Sequence, residues 1–444
     1  MSRSAATRTD LFTNGARFTD LTSWREEAVS LHADGPVHRI EQPGFTPFWA
    51  VIGNEELREV ERDPARFTNR PHPILFPGPR TGLSGGIQTL IHMDPPEHTA
   101  HRRVTADWFR PSALRDWEDR IGVIVRDAVD TMATSTECDF ASEVAVPIPL
   151  RTILEIFGLP EEDYAGVLRF TRALFGTGDP SAPPPPIPPG PDIDPYRYFS
   201  ELTRSRREEP RGDLASEIAN GTIDGVPLGD VETLSYYIII VTAGHDTTSS
   251  AMAGGLDALL DHPDALALLR AEPDRVTDAT EEMLRWTAPV RHFMRTAQED
   301  TEIAGSRIAA GDWIHLSYLA ANIDPRTFDD PLRFDIARKH ADRHVSFGHG
   351  RHFCLGAGLA RMELRALFAE LIDRLEHIER AGPGRTDRTT FVGGHSSLPV
   401  RYRFRDGPQD RSSSDVTSIV QRWGPTTGCT SGPQAGPGTM PTAD

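Results

Sequence analysis

The sequence predicts a mainly α-helical fold with small β-sheets. Apolar residues recur at helical spacing over most of the chain, as in the run Leu364, Leu367, Phe368, Leu371 and Leu375. Segments with strand character are short and few, at Phe48–Val51, Arg295–Ile303 and Thr389–Tyr402. Helices are therefore expected to form most of the structure, with the strands grouped in minor sheets.

The 444 residues divide by composition into three parts. Residues 1–20 are polar and are expected to form a flexible N-terminal arm. Residues 21–407 contain no linker that would separate independent domains, so we expect one domain there. Residues 408–444 are rich in Ser, Thr, Gly and Pro, which predicts a disordered C-terminal tail. The proline-rich segment 178–195 excludes regular helix or strand and is either an exposed loop or a lid over a substrate entrance.

Composition excludes several classes of protein. A net charge of −18 without a basic run argues against extended nucleic-acid binding. Three cysteines in a chain of this length do not make a disulfide framework, which fits a reducing cytoplasm. The longest apolar run, Tyr236–Val241, is too short to span a bilayer, and Met1–Asp20 resembles neither a signal peptide nor an anchor. We expect a cytoplasmic monomer that binds no nucleic acid and no membrane.

The most informative stretch is residues 347–356, Phe-Gly-His-Gly-Arg-His-Phe-Cys-Leu-Gly, which leads into an amphipathic helix. Cys354 follows a glycine-rich turn at the start of that helix. Free backbone N–H groups and the positive end of the helix dipole then point at the sulfur, which favours a metal-binding thiolate. Two other interpretations stay open here: an inert buried cysteine, and a zinc site formed by His349, His352 and Cys354.

The pattern F-G-x-G-x-H-x-C-x-G resembles the haem-binding loop of the cytochrome P450 family. The resemblance implies that Cys354 is the thiolate ligand of the iron of haem b, with Phe347, Gly348 and Gly356 against the cofactor. Thiolate ligation pushes electron density onto iron and favours O–O cleavage. It also implies the fold of that family for residues 21–407.

A second motif, Ala-Gly-His-Asp-Thr-Thr, lies at residues 243–248 in a predicted helix. Small residues at Ala243 and Gly244 would let the helix pass closely over a flat ligand. The motif is similar to the oxygen-activating A-G-x-D/E-T of the family, which implies that Asp246 and Thr247 take part in proton delivery. Considered without residues 347–356, which we name the Cys loop, the motif leaves one alternative open, a helix with a polar face.

A third motif, E-M-L-R, places Glu282 and Arg285 at i, i+3 on a predicted amphipathic helix. Alone, it would be a surface ion pair worth about 0.3–0.5 kcal/mol. The resemblance implies instead a buried structural triad, completed by Arg338, that braces the Cys loop.

Haem carries two carboxylates, and the resemblance implies that four donors anchor them: His98, Arg102, Arg295 and His352. Pro95 and Pro96 are expected to open a helix with Asp94 as its cap. His98 and Arg102 would lie at i, i+4 on one face of this helix.

One motif points elsewhere. Residues 82–86, Gly-Leu-Ser-Gly-Gly, fit the G-x-S-x-G nucleophile elbow of serine hydrolases. That elbow needs a preceding strand, and the prolines at 71, 73, 77 and 79 exclude a central strand there. We interpret the segment as a glycine-rich loop beside the substrate pocket.

The four motifs together imply a haem-thiolate monooxygenase that uses O2 as co-substrate. The chain has no flavin or nicotinamide motif, so its electrons are expected from a ferredoxin or flavodoxin with its reductase. Such carriers are acidic, and Arg110, Arg351 and Arg361 are candidates for a basic patch on the Cys side. A haem-thiolate sensor without oxygen chemistry is the alternative from a different class, and Asp246 and Thr247 argue against it.

The resemblance assigns five small or apolar residues to the substrate pocket: Ala243, Gly244, Val290, Phe293 and Val392. They predict a small lipophilic substrate, although core packing would also explain the last three. The stretches 242–250, 285–290 with 293–297, and 391–394 look like the terpineol-hydroxylating branch, which makes a terpenoid the leading expectation. Tailoring of a polyketide or peptide secondary metabolite is the alternative within the same class of enzyme.

Overall fold

The computed structural model describes residues 10–78, 87–175, 187, 190 and 192–405. Helices dominate these residues, which confirms the predicted fold class. In chain order, the α-helices α1 to α14 are Leu21–Leu31, Asn54–Arg62, Glu97–Ala106, Pro111–Arg115, Glu118–Met132, Pro147–Phe157, Tyr164–Phe175, Pro195–Glu208, Leu214–Ala219, Asp230–Asp261, Pro263–Ala271, Val276–Thr287, Tyr318–Ala321 and Ala357–Arg374.

The strands of the described residues form small sheets. In chain order, β1 to β14 are Val37–Ile40, Phe48–Val51, Phe67–Thr68, Glu137–Asp139, Thr222–Ile223, Val226–Pro227, His292–Ala297, Thr301–Ile303, Ser306–Ile308, Trp313–Ser317, Leu375–Arg380, Arg385–Thr386, His395–Ser397 and Pro399–Phe404. The largest sheet has the order β1-β2-β10-β7-β3, in which β2 and β10 are parallel and the other pairs are antiparallel. A second sheet has the order β11-β14-β4.

The predicted strands are only partly correct. The one expected at 48–51 coincides with β2. The segment 295–303 is divided between β7 and β8, because residues 298–300, Gln-Glu-Asp, form a bend. The last predicted strand begins at His395, and residues 387–394 before it are an irregular loop.

Two helices position the site. Helix α10 has 32 residues and is therefore about 48 Å long. It runs through the largest apolar cluster, and α14 packs Leu364, Leu367 and Leu371 into the same cluster. Leu375 is buried there too, but it begins β11 instead of ending the helix. The helix that carries the Ala-Gly-His-Asp-Thr-Thr motif and the helix that follows the Cys loop thus share one core.

The expectation of a loose arm is wrong for residues 10–20. Leu11, Phe12 and Phe18 are each no more than 2% exposed. The indole Nε1 of Trp24, on α1, donates to the Leu11 carbonyl over 3.0 Å. These apolar side chains lie among polar neighbours and do not recur at helix or strand spacing. The composition of the segment therefore did not indicate that it packs against the core.

The predicted cap of α3 is also wrong. The helix begins at Glu97 after Pro96, and the Asp94 carboxylate instead accepts from the backbone N–H groups of Asn69 and Arg70, at 2.7 and 3.2 Å. Asp94 therefore ties α3 to a loop that lies before it in the chain.

Three predictions fall on segments outside the described residues. They are the glycine-rich loop at 82–86, most of the proline-rich segment 178–195, and the tail 408–444. Within the described ranges, none of the helices combines the length and apolar character needed to cross a bilayer.

A matched pair of valines tests the packing. Val129, on α5, is fully buried, and Val226, on β6, is 66% exposed. Val129→Ala should lower the free energy of unfolding by about 1.5–3 kcal/mol, because it removes two buried methyl groups and leaves a cavity. Val226→Ala should change it by less than about 0.5 kcal/mol. Urea unfolding of both variants measures this, and equal effects would contradict the described packing.

Candidate functional site

The Cys loop is shaped by its two glycines. Gly348 and Gly350 have φ angles of 68° and 65°, the left-handed region that a glycine adopts without strain. At Gly350 a side chain would also collide with the backbone carbonyl of Glu61. The loop closes where the backbone N–H of Cys354 donates to the Phe347 carbonyl over 2.8 Å, and α14 begins three residues later. The sulfur is thus held at the start of α14, as the sequence predicts.

The expected preference of Cys354 for thiolate is not a property of the protein alone. The Cys354 side chain is exposed to the cavity, but the protein packed around it still desolvates the thiol and raises its pKa. The Gly356 N–H and the Arg102 and Arg361 guanidinium groups lower that pKa by less. The cost of taking a thiolate out of water outweighs the positive end of the helix. A bound metal cation would supply the missing stabilisation, because thiolate ligation and deprotonation are coupled.

A cavity lies between the Cys loop and α10. Ala243, Gly244 and Thr247 line one side of it, and Phe347, Gly348, Cys354 and Gly356 line the other. The two motifs predicted to face one cofactor therefore do face one space. The Thr247 hydroxyl donates over 3.1 Å to the carbonyl of Ala243, which lies one turn earlier in α10.

The reason for glycine at position 244 differs from the one predicted. A side chain there would meet Ile153 of α6, with its Cβ 2.5 Å from the Ile153 Cδ1 atom. Gly244 therefore allows α6 to pack closely against α10. The space left for a flat ligand depends on Ala243 and on the path of the helix.

Asp246 has a partner that sequence reasoning missed. The Nε2 atom of His245 lies 2.9 Å from the Asp246 Oδ1 atom, and Nδ1 lies 3.2 Å from the Val241 carbonyl oxygen. His245 is fully buried and its Nε2 also lies 3.3 Å from the Thr171 hydroxyl. The other carboxylate oxygen of Asp246 is buried and has no hydrogen-bond partner among the described residues. His245 thus fixes one oxygen of Asp246 and leaves the second available.

The four residues predicted to anchor carboxylates line the same cavity. The imidazoles of His98 and His352 lie 3.9 Å apart between ring centroids. The Nδ1 atom of His98 and the Nε2 atom of His352 are buried without a partner among the described residues. Burial, with nearby arginines, lowers the pKa of His98 to about 4 and that of His352 to about 2. Unpartnered donors that lack an anion fit the propionates of haem.

Arg295 differs from the other three because it already has an anionic partner. Its Nη2 atom lies 3.0 Å from the Glu61 Oε1 atom, and both side chains are at most 3% exposed. The Tyr318 hydroxyl donates to the same oxygen over 2.7 Å. Glu61 was absent from the sequence interpretation, and it reduces the positive charge that Arg295 presents to the cavity.

The predicted triad is assembled. The Nε and Nη2 atoms of Arg285 each donate to the Glu282 carboxylate over 2.7 Å, and both side chains are fully buried. Arg338 Nε adds contacts of 3.2 and 3.1 Å to the same carboxylate. Asn322 carries the connection to the Cys loop, since its amide donates to the Arg285 carbonyl and its Oδ1 accepts from the Val345 N–H over 2.8 Å.

A second brace, also missed, begins at the neighbouring Glu281. Its carboxylate accepts from Arg361 Nε and Nη2 at 2.7 and 2.8 Å and lies 3.3 Å from His344 Nε2. Burial would raise the pKa of Glu281, but these partners hold it well below its usual range. The Arg361 guanidinium lies 4.5 Å from the Phe347 ring centroid. Glu281 thereby connects α12, the Cys loop and α14.

Four of the five predicted pocket residues line the cavity: Ala243, Gly244, Val290 and Phe293. Val392 does not, but it is buried and forms a β-bridge with Val290 behind the cavity wall. Further apolar lining residues, not singled out from the sequence, are Leu90, Ile91, Ile239, Ile240, Ala251 and Pro289. The zinc interpretation fails, since His349 contacts Arg58 and Arg62, and the described residues contain no metal-binding group of three or more His, Cys, Asp or Glu.

Glu363 on α14 is an unusual buried carboxyl at the edge of this cavity. It is 1% exposed, and neither carboxylate oxygen has a hydrogen-bond partner within the described residues. Burial raises the pKa of Glu363 to about 8, against a smaller opposite effect of Thr152. The Thr152 hydroxyl itself donates to the Ile148 carbonyl. Glu363 therefore carries a proton at neutral pH.

The burial of the triad can be tested by comparing it with an exposed ion pair of the same sequence spacing. Glu282→Ala leaves the Arg285 guanidinium buried without its anion and should cost about 3–5 kcal/mol of unfolding free energy. Glu272 pairs with Arg275 at the same i, i+3 spacing on the surface. Glu272→Ala should cost less than about 1 kcal/mol. Chemical denaturation compares the two variants, and similar costs would contradict a buried triad.

Glu363 predicts a dependence of stability on pH. Its pKa is raised in the folded protein, from 4.5 to about 8, so between these values the folded state keeps a proton that the unfolded chain loses. Stability from this group therefore falls as pH rises, by about 1.4 kcal/mol per pH unit. Glu363→Gln removes this titratable group. In thermal unfolding, the stability of the variant relative to the wild type should therefore increase as the pH rises from 5 to 8. Glu201→Gln, the same change at an exposed residue, is the control. If the stability of Glu363→Gln and of the wild type depended on pH in the same way, Glu363 would not have a raised pKa in the folded protein.

Comparisons with known proteins agree with this geometry. Residues 201–401 match the cytochrome P450 family. The chain is 36% identical to cytochrome P450-terp of a Pseudomonas species over 84% of this chain and 92% of that protein. It is 33% identical to linalool 8-monooxygenase of Pseudomonas putida, over 83% and 93% of the two chains. Other relatives at similar identity are named as steroid and lipid hydroxylases.

Among solved structures, CYP108D1 from Novosphingobium aromaticivorans superposes with a TM-score of 0.80 at 34% identity, covering 91% of this chain and all of that one. Identity of this level over most of both chains, with the Cys loop and the α10 motif on opposite sides of one cavity, shows the family. The chain belongs to the cytochrome P450 family.

Proposed function

We propose that this cytochrome P450 monooxygenase hydroxylates a small lipophilic substrate, with a terpenoid as the leading class. The observation that carries the proposal is that Cys354, Thr247 and a set of apolar side chains all line the same cavity. The same space would have to hold both the cofactor and the C–H bond that is oxidised.

The cofactor supplies the oxidising chemistry when bound: haem with a thiolate ligand activates O2 for insertion into a C–H bond. Cys354 would be the ligand of its iron. His98, Arg102 and His352 would donate to its carboxylates. All three line the cavity, and the buried, unpartnered Nδ1 of His98 and Nε2 of His352 support this role. Arg295 would contribute less positive charge because Glu61 neutralises it.

The residues on α10 would handle protons. Thr247 presents a hydroxyl to the cavity, and that hydroxyl is anchored at the Ala243 carbonyl. Asp246 is held at one oxygen by His245 and keeps the other free of protein donors among the described residues. Asp246 is not among the lining residues, so its carboxylate would exchange protons with the cavity through the neighbouring Thr247 side as a general acid–base.

The substrate class rests on the lining and on the names of relatives. Ile239, Ile240, Val290 and Phe293 give the cavity an apolar wall that would exclude charged substrates. Linalool 8-monooxygenase is among the relatives, which favours a terpenoid over the steroid and lipid alternatives. The polyketide and peptide alternative has no specific support from the cavity.

A separate acidic electron carrier would bind on the Cys side of the molecule. A groove there contains Cys354, Arg110, Arg115 and the 39% exposed ring of Phe353. Arg110 is exposed, with Asp107 as an ion-pair partner at 2.7 Å. Arg361, also predicted for this patch, is already bound by Glu281 and is better explained as part of the brace. A ferredoxin with its reductase fits this exposed basic surface.

Thr247 offers the test of the catalytic assignment. With linalool as the first probe and ferredoxin with its reductase as the electron source, Thr247→Ala should consume electrons while product per electron falls about tenfold or more. The measurement is reductant consumed against hydroxylated product formed.

Thr233→Ala is the control, because Thr233 makes the same type of hydroxyl-to-carbonyl bond on α10 far from the cavity lining. This control variant should form as much hydroxylated product per reductant consumed as the wild type does. Unchanged coupling in Thr247→Ala would remove Thr247 from the mechanism. A wild type that binds the terpenoid but forms no product with any reductant would favour the sensor alternative.

A further inference from the structure

The wall of the cavity is built from two segments that are joined side by side. The backbone N–H of Arg291 donates to the Phe391 carbonyl over 2.9 Å, and that of Gly393 donates to the Pro289 carbonyl over 3.0 Å. Val290 and Val392 form the β-bridge between them. We name residues 387–394 the wall loop. Because it is bonded to residues 289–291, any shift of the wall loop moves Val290, which lines the cavity.

Arg291 projects away from the cavity and is buried behind this wall. It is 4% exposed, and its Nε and Nη1 atoms have no hydrogen-bond partner among the described residues. A side chain at Gly393 would place its Cβ 2.5 Å from the Arg291 Nη2 atom, so the guanidinium lies directly on the wall loop. Its nearest stabilising charge is Asp387, in the same loop.

The opposite face of the guanidinium rests on the N-terminal segment, Asp10–Asp20. The Arg291 Cζ atom lies 4.1 Å from the centroid of the Phe18 ring. Since Nε and Nη1 of this buried cation lack hydrogen-bond partners among the described residues, the face of an aromatic ring is a stabilising neighbour for it. Phe18 is itself stacked on Trp24, with ring centroids 5.3 Å apart, so its position is fixed by α1.

A second contact lies three residues earlier. At Gly15, a Cβ would be 2.7 Å from the carbonyl oxygen of Arg388 and 3.1 Å from the backbone nitrogen of Thr389. Both are backbone atoms of the wall loop, and they cannot give way as a flexible side chain would. The N-terminal segment therefore touches the wall loop through backbone at Gly15 and supports it through Arg291 at Phe18.

We propose that the N-terminal segment is a specificity element: Phe18 and Gly15 fix the wall loop from behind and so set the shape of the substrate pocket. Neither residue lines the cavity, and both act as positioning residues. The inference rests on the proposed function for the identity of the pocket, and it adds the part of the chain that determines which substrates fit.

Two matched pairs of variants of the full-length, haem-loaded protein test this. Phe18→Leu keeps an apolar side chain but removes the ring face, and Phe140→Leu makes the same change at a fully buried phenylalanine in another apolar cluster. Gly15→Ala pushes on the Arg388 carbonyl, and Gly212→Ala adds the same methyl group where nothing lies within 4 Å. The reduced carbon monoxide spectrum first shows that each variant holds its cofactor.

The first measurement is hydrogen–deuterium exchange of residues 387–394, which needs no turnover. Phe18→Leu and Gly15→Ala should raise exchange there by roughly tenfold, because the first removes the ring that supports Arg291 and the second displaces the backbone of the wall loop at Arg388. The second is the dissociation constant of linalool from its spectral shift, which should weaken by roughly three- to tenfold, with altered product ratios. The two control variants should stay within about twofold of the wild type in both measurements.

Unchanged exchange in Phe18→Leu and Gly15→Ala, or an equal rise in their controls, would overturn the proposal. Faster exchange with unchanged linalool affinity and products would overturn it as well, since the wall would then move without affecting specificity. Failure of the wild type to bind any terpenoid would refute the proposed substrate class instead, and the exchange measurement would still decide the role of the N-terminal segment.

Discussion

The carboxylate of Glu282 is the constraint on which the site depends. It is fully buried and is shared by Arg285 and Arg338. A buried ion pair contributes little net stability compared with apolar packing, but the loss of one partner is costly. Its effect is therefore to specify one arrangement. The remaining Arg285 donors are taken by the carbonyls of Asn322, Pro331 and Arg333, and Asn322 also accepts from the Val345 N–H, just before the Cys loop.

The cavity is unfavourable for its own polar groups in two opposite ways. Burial disfavours a thiolate at Cys354 and disfavours charged imidazoles at His98 and His352. A single ligand with a metal cation at its centre and carboxylates at its edge would relieve both conditions. The site is thus electrostatically matched to a molecule of the charge distribution of haem, and Glu363, which is neutral at ordinary pH, adds no competing anion. The same apolar surroundings that impose these costs also make the pocket suited to a lipophilic substrate.

Much of the site could be predicted because its chemistry fixes residues within a single loop or one turn of helix. The Cys loop, the pair Asp246 and Thr247, and the pair Glu282 and Arg285 belong to this kind, whereas Arg338, 56 residues from Glu282, was implied only by the family resemblance. Contacts between distant parts of the chain could not be predicted. Glu61, for example, is 234 residues from its partner Arg295, and nothing in its local sequence marks it as buried.

Packing was the other source of error. The N-terminal residues were expected to be loose because polar neighbours surround Phe12 and Phe18, yet those rings fill the core beside α1. Gly244 does line the cavity, but a second reason for glycine there was missed, since a side chain would meet Ile153. In each case the local pattern was identified, but the partner that explains it comes from another element.

The most direct test of the central claim is the absorption spectrum of the purified protein, reduced with dithionite under carbon monoxide, with Cys354→Ser beside it. Thiolate ligation by Cys354 predicts the long-wavelength Soret band that names the family in the wild type and its loss in the variant. A wild-type band at the position of histidine-ligated haem, or a long-wavelength band that survives in Cys354→Ser, would contradict the assignment of the iron ligand.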